Sequence, residues 1–264
     1  MGIGLAPFTI RSEVFNKKHV EATYSRLQEL GFDGLEGGIG LRYGYTLQED
    51  RALLDKYKLT VCDIWGDPSD PDKAMKTAEA YGTNIVCVGN MPVEMFRSAD
   101  GFRAYCEDLN NMAKPFKQAG FKLSYHNHSQ EFRNFVTKSG VKETGYEIMI
   151  NETDPDAVCF CLDVFWCAAA GADPAYWTKK LKGRAKVIHF KDYSIDGESY
   201  DLGVGSIPWR FAEIGCGNIN WPSVVDACRD IGIEWYCIEQ DQCRGSAFDC
   251  LKTSIDYMRG ELKL

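Results

Sequence analysis

Three of the four histidines of this 264-residue chain stand where apolar, strand-like runs end: His126 and His128 in KLSYHNHSQEF, and His189 in KVIHFKDY. Asp163 ends another such run in VCFCLDVF, and Glu239 a fourth in WYCIEQD. Imidazole nitrogens and carboxylate oxygens hold Mn2+, Mg2+, Co2+ or Zn2+, and a donor set without thiolate favours the harder of these ions. An ion with open positions can take two oxygens of a sugar. It then stabilises the negative charge that develops when a proton leaves the carbon beside a carbonyl. His126 and His128 are spaced i, i+2, so on a continuing strand they point to one side. Glu131 follows where the chain turns and can fold back towards the same place.

Each residue has a plainer role open to it. A strand-end histidine can hydrogen-bond locally, Asp163 can cap the helix that follows, and Glu239 can pair with an arginine. Lys191 and Asp192 can form a surface ion pair of little weight. The case for a site is collective and depends on the elements that carry these residues.

Apolar, β-branched runs recur near Ile3–Ala6, Gly34–Gly37, Thr60–Ile64, Ile85–Val88, Lys122–His126, Ala157–Asp163, Lys186–Phe190 and Trp235–Glu239. Segments of helical periodicity alternate with them: Val20, Tyr24, Leu27 and Leu30; Phe102, Cys106, Leu109, Met112 and Phe116; Val224, Cys228 and Ile231; Leu251, Ile255 and Met258. Asp173-Pro174 reads as a helix start, with the aspartate at the N-cap and the proline in the first turn. Eight β–α units with near-continuous apolar strands imply a parallel sheet buried on both faces. At this length, closure into a single-domain α/β (β/α)8 TIM barrel over residues 1–264 leaves no sheet edge. Chemistry in such a barrel stands at the C-terminal strand ends, which here carry Glu36, Asp63 with Trp65, Asn90, His126 with His128, Asp163, His189 with Lys191, and Glu239. Glu36, Trp65 and Asn90 are the expected substrate contacts. Trp65 is either a stacking platform for a sugar or wall packing. The glycine-rich stretch from Ser194 to Trp221 is long enough for a lid or binding loop.

Composition removes several classes. A formal net charge of −8 and no Lys/Arg run argue against a nucleic-acid partner, whose phosphates call for a basic face. The adjacent His-Asn-His is therefore not read as a nuclease motif. Gly203-Val204-Gly205 and Gly215-Cys216-Gly217 lack the third glycine and the context of a dinucleotide fingerprint. Eleven cysteines, an odd number without any C-x-x-C pair, fit free thiols packed as small hydrophobes in a reducing cytoplasm. Cys216 and Cys243 are the candidates for a reactive thiol. No secretory leader is visible, and no apolar run approaches the roughly 20 residues of a membrane helix. A soluble cytoplasmic protein with a small-molecule substrate is expected, alone or as a homo- or hetero-oligomer.

The order and spacing of these pieces resemble the xylose-isomerase-like barrel superfamily, the sugar phosphate isomerases/epimerases. The likeness runs from Thr9-Ile10-Arg11 through Gly31-Phe32-Asp33-Gly34-Leu35-Glu36, Tyr125-His126-Asn127-His128 with Glu131-Phe132, and Leu162-Asp163. It continues through His189-Phe190-Lys191-Asp192, Gly215-Cys216-Gly217-Asn218-Ile219-Asn220-Trp221 and Ile238-Glu239. The resemblance implies one divalent ion, Mn2+ first among Mg2+, Co2+ and Zn2+, on Asp163, His189 and Glu239. The fourth ligand is Glu131 as first choice and His126 as second, because many relatives carry a glutamate on the fifth strand where this chain has histidine. Relatives also often have glutamate where this chain has Cys216.

Relatives use two glutamates as acid and base on either face of an enediolate. The displaced fifth-strand carboxylate leaves Glu239 with His126 or His128 as acid and base, and Lys191 to stabilise an oxyanion. The leading expectation is a metal-dependent isomerase/epimerase on a keto-sugar. A lyase acting on a keto-sugar, inosose or glycoside is the alternative. An abasic-DNA endonuclease would need more histidines and a basic groove, and a non-catalytic subunit of a carbohydrate-processing complex would lack the metal.

Overall fold

A computed structural model describes residues 1–89, 91–136, 140, 142–195 and 209–264. Asn90 and residues 196–208 of the glycine-rich stretch, Gly197, Gly203 and Gly205 included, lie outside the described residues.

All the main strands pair in parallel. Their order around the sheet is Thr60–Val61, Gly34–Leu35, Gly2–Leu5, Trp235–Ile238, Val187–Phe190, Val158–Asp163, Lys122–His126, Ile85–Val88 and Ile64–Trp65. The two ends of that order are consecutive pieces of one strand, so the sheet closes on itself. The expected third strand, Thr60–Ile64, is split for this reason. Up to Asp63 it pairs with the second strand, whose Gly37 N–H donates to the Asp63 carbonyl, and from Ile64 it pairs with the fourth. The fold is the expected (β/α)8 barrel.

Helices separate the strands and end by ordinary chemistry. Lys17–Leu30 starts on Asn16, whose side chain accepts from Lys18 N–H, and stops at left-handed Gly31. Asp173 caps Pro174–Lys180 as the sequence suggests. Val20, Tyr24 and Leu27 in Lys17–Leu30, and Phe102, Cys106, Leu109 and Phe116 in Ala99–Gln118, turn into the core.

Side chains inside the barrel alternate along each strand and form layers. Cys62, Cys87, Cys161, Cys237 and Val187 pack as one cluster, with Trp235 against it. Room on the first strand is left by Gly4, where an added Cβ would come within 2.7 Å of Cys237 Sγ. Thiols are small apolar fillers of this narrow space, and all eleven cysteines are free. One step further along the strands the same inward positions become His126, Asp163, His189, Glu36 and Glu239.

Two short antiparallel hairpins sit beside the barrel, Asn134–Val136 with Lys142–Thr144 and Asp192–Ile195 with Trp209–Ala212. The second is anchored by Asp192. Its carboxylate accepts from the N–H groups of Gly215, Gly217 and Ile219 and from Trp221 Nε1. A Cβ at Gly217 would meet Asp192 Oδ1 at 2.2 Å, which explains that glycine. Asp192 is therefore a buried loop anchor, and the surface pair with Lys191 does not form.

Candidate metal centre

His126, Asp163, His189 and Glu239 each present a ligand atom within 4.8 Å of the others. Register explains the meeting: His189 sits opposite Asp163 on neighbouring strands, and His126 ends the strand on the far side of Asp163. His189 donates Nε2–H to Glu36 Oε1 at 2.6 Å and Nδ1–H to Glu239 Oε2 at 3.0 Å. His126 Nε2 lies 3.5 Å from Asp163 Oδ2. Asp163 divides its two oxygens between roles. Oδ1 caps the helix Val164–Ala169 by accepting from Trp166 N–H, while Oδ2 faces the cluster.

Lys191 continues the inward alternation after His189 and is buried to 2 % exposure. Its ammonium lies 2.8 Å from Glu239 Oε2, 3.0 Å from Asp241 Oδ1 and 3.3 Å from Asp163 Oδ2. Burial alone would depress its pKa, but attraction to Asp163, Glu239 and Asp241 lifts it above the ordinary lysine value. Burial opposes charge on His189, and Glu36 and Glu239 outweigh it, which raises its pKa well above the ordinary value in the metal-free site; a bound ion would take the place of one ring proton. Glu239 resists burial through His189 and Lys191 and stays well below the usual carboxylate range. At Asp63, beneath Glu36, burial followed by repulsion from Glu36 outweighs the attraction of His189 and raises the pKa well above the usual carboxylate value.

The cluster fits a divalent ion on two counts. Both ring nitrogens of His126 and Oδ2 of Asp163 are buried without a hydrogen-bond partner. Buried orphans of this kind cost about 1–3 kcal/mol each. Among the described residues, four acidic side chains (Glu36, Asp163, Glu239 and Asp241) also converge on this site, an excess of carboxylate oxygen that a divalent ion would offset. His126, Asp163, His189 and Glu239 are the residues that would hold the ion.

Glu131 is not brought to this cluster. Its carboxylate is buried behind the fifth strand, accepting Tyr125 O–H at 2.7 Å and His128 N–H at 3.0 Å. The rigid turn after the strand aims it away, and His126, the second choice, takes the inward place. Glu36 lies beside the ligand cluster as well as on the cavity wall, and its oxygens accept from His189 and from Trp65 Nε1 at 3.2 Å. A carboxylate on the far nitrogen of a ligand histidine fixes its orientation. Glu36→Gln is therefore expected to weaken divalent-ion affinity by about 10–100-fold, read by competition against a chromophoric chelator. Unchanged affinity would return Glu36 to a substrate role.

A cavity of about 690 Å³ opens onto the cluster, lined among others by Trp65, His126, His128, Trp166, Lys191 and Glu239. Trp65 is half-exposed at its mouth, 5.4 Å from the His126 ring between centroids. The His128 ring packs near His126 and Trp166. Burial, then the neighbouring His126, lowers the His128 pKa below 6.5, so this imidazole is neutral at pH 7. Cys216 and Cys243 do not line the cavity, and burial pushes both thiols up rather than activating them. Sequence reasoning missed Asp241 and Trp166. Asp241 was findable, being two residues beyond Glu239 and so on the same side.

The centre's surroundings agree with what the chain is similar to. An inosose dehydratase of Mesomycoplasma hyopneumoniae is 27% identical over 267 residues, covering 89% of this chain and 86% of that protein. A sugar phosphate isomerase/epimerase from Parabacteroides distasonis superposes with a TM-score of 0.78 at 21% identity, over 98% of this chain and 94% of that one. A xylose isomerase-like barrel protein from Mycobacterium smegmatis, solved in complex with magnesium, superposes at 0.67 with 16% identity, over 97% and 95%. Residues 24–260 match the model of the xylose isomerase-like TIM barrel, and the chain belongs to that family.

Proposed function

We propose that this protein is a divalent-metal-dependent enzyme that removes the proton α to the carbonyl of a keto-sugar or inosose and completes the reaction as a lyase. The observation that carries it is the four-residue cluster with orphaned ligand atoms at the floor of a cavity with room for a sugar. The elimination branch is favoured over the leading expectation of an isomerase/epimerase by the fate of Glu131. Return of the proton on the opposite face calls for a second carboxylate, and the fifth-strand one is turned away and bound to Tyr125. The similarity to an inosose dehydratase points the same way. Isomerase/epimerase remains the second reading, supported by the fold shared with the Parabacteroides protein.

When bound, the ion supplies Lewis-acid polarisation of the substrate carbonyl. Two carboxylates suit Mn2+ or Mg2+ and two imidazoles suit Zn2+; of Mn2+, Mg2+, Co2+ and Zn2+, Mn2+ is the ion proposed. With His126 among the ligands, His128 is the base. Its neutral ring nitrogen takes the α proton, and the depressed pKa keeps it unprotonated at pH 7. Lys191, held protonated, directs Nζ–H towards the oxygen on which charge develops. Trp65 offers its exposed face to a sugar ring. Free buried thiols suit a reducing compartment, the cytoplasm. No described helix is long and apolar enough to cross a membrane.

Incubation with keto-sugars and inososes in D2O tests the reading by NMR. Exchange with appearance of an enone supports the lyase, exchange or epimer formation without enone supports the second reading, and no exchange on any of them sinks both. The pH profile adds a check. A base with lowered pKa keeps working below pH 6.5, so the rate is expected to fall only as pH drops through a value under 6.5. His128→Ala should remove that limb and cost about 10²–10⁴-fold in rate. An acid limb above 6.5, or one surviving in His128→Ala, would assign the base elsewhere.

A further inference from the structure

The cavity is larger than the reaction needs. A keto-hexose has about a dozen non-hydrogen atoms, and even at the roughly 30 Å³ that liquid water allots each molecule it fills little more than half of the 690 Å³. The remainder is bounded by two segments, the one after the first strand, with Phe8, Ile10 and Val14, and the one after the second, with Ile39, Leu41 and Tyr43. Phe8 is 52 % exposed and Leu41 40 % exposed, a considerable apolar area kept open beside a polar centre.

This wall is built rather than incidental. Asp50, fully buried, accepts from Tyr24 O–H at 2.8 Å, Tyr81 O–H at 2.6 Å and Gly40 N–H at 3.1 Å, and Tyr24 in turn accepts Ile39 N–H. A Cβ on Gly38 or Gly40 would strike the Asp50 carboxylate at 2.0–2.1 Å, so the segment is drawn tightly onto it. Tyr43 O–H donates to the Val14 carbonyl and joins the two segments. Arg11 lies 3.9 Å over the Phe8 ring and donates to the carbonyls of Phe8 and Asp241, which links the wall to the acid beside Lys191. Tyr43 and Arg11 thus give hydrogen bonds to the protein itself. Arg42 also lines this wall, but Phe8, Ile10, Val14, Ile39 and Leu41 make it mainly apolar, so a flat apolar ring would find a preformed surface, and preorganisation favours affinity.

We propose that the outer half of the cavity is a subsite for an aromatic aglycone, so that the substrate class is a keto-sugar carrying an aryl substituent rather than a free keto-sugar. This rests on the reading of the inner half as the sugar site. Calorimetry with phenyl β-glucoside, methyl β-glucoside and cellobiose tests it, on protein treated with EDTA and on Mn2+-loaded protein. The phenyl compound is expected to bind about tenfold or more tighter than the methyl one, in both states, and Leu41→Ala should shrink that advantage severalfold. Equal affinities, cellobiose binding tightest, or no binding of any of the three would overturn the subsite. The D2O experiment separates the two ideas. Phenyl preference without exchange on any keto-sugar leaves the subsite standing and removes the lyase reading. Exchange with equal phenyl and methyl affinities does the reverse.

Discussion

Asp163→Asn is expected to leave the purified protein without stoichiometric divalent metal and without α-proton exchange, while the barrel stays folded. The substitution separates the two duties of this side chain. Oδ1 accepts Trp166 N–H at the start of Val164–Ala169, and asparagine caps a helix about as well as aspartate. Oδ2 has no hydrogen bond of its own and faces His126, Lys191 and His189. Losing its charge takes a negative ligand from the ion. The loss should exceed the roughly 10–100-fold that a partner one step removed costs. Attraction to Lys191 and His126 overcomes burial and keeps Asp163 below the ordinary aspartate range, so the native residue is charged and ready to coordinate at neutral pH. Elemental analysis with thermal denaturation checks the outcome. Native-like metal content in Asp163→Asn would remove the metal centre from this cluster.

Lys191→Met is the second large effect, and it should depend on metal. The ammonium is shared by Glu239, Asp241 and Asp163, at 2.8, 3.0 and 3.3 Å. Methionine keeps the length and removes the charge, leaving the buried Asp163 facing the part-buried Glu239 and Asp241. Breaking a buried pair from one side costs about 3–5 kcal/mol. For a chain of this size that is roughly 6–20 °C in Tm. A divalent ion restores positive charge at the same carboxylates and stabilises the folded state by linkage. The deficit should therefore be largest in EDTA and shrink on adding MnCl2. A variant as stable as the native protein in EDTA, or one whose deficit ignores metal, would contradict this account of Lys191.

Much of the barrel was legible because parallel strands buried on both faces must read as apolar runs. Ile85–Val88 and Lys122–His126 have the expected bounds, and the others, the split third strand apart, differ by one or two residues at an end. The split of the third strand was hidden, since it depends on which neighbour accepts each N–H and not on residue type. Asp163, His189 and Glu239 were legible as strand-end donors, and period-two alternation extends the same reading to Lys191 and Asp241.

Glu131 shows where that reading stops. Nothing in Tyr125-His126-Asn127-His128-Ser129-Gln130-Glu131 says whether the glutamate folds inward or back. The turn Gln130–Phe132 and the Tyr125 hydroxyl decide it, and they leave the inward place to His126. Glu36 is similar: its distance to His189 spans 153 positions of sequence, and only barrel closure and strand stagger set it at 2.6 Å. The sequence alone thus determined the closed parallel barrel and the kinds of donor at its C-terminal end, because burial and alternation act residue by residue along each strand. Only the tertiary structure decided which donors share one ion, which carboxylate orients a ligand and which is turned away. Those outcomes depend on register between strands and on turns, and neither is encoded in the type of any single residue.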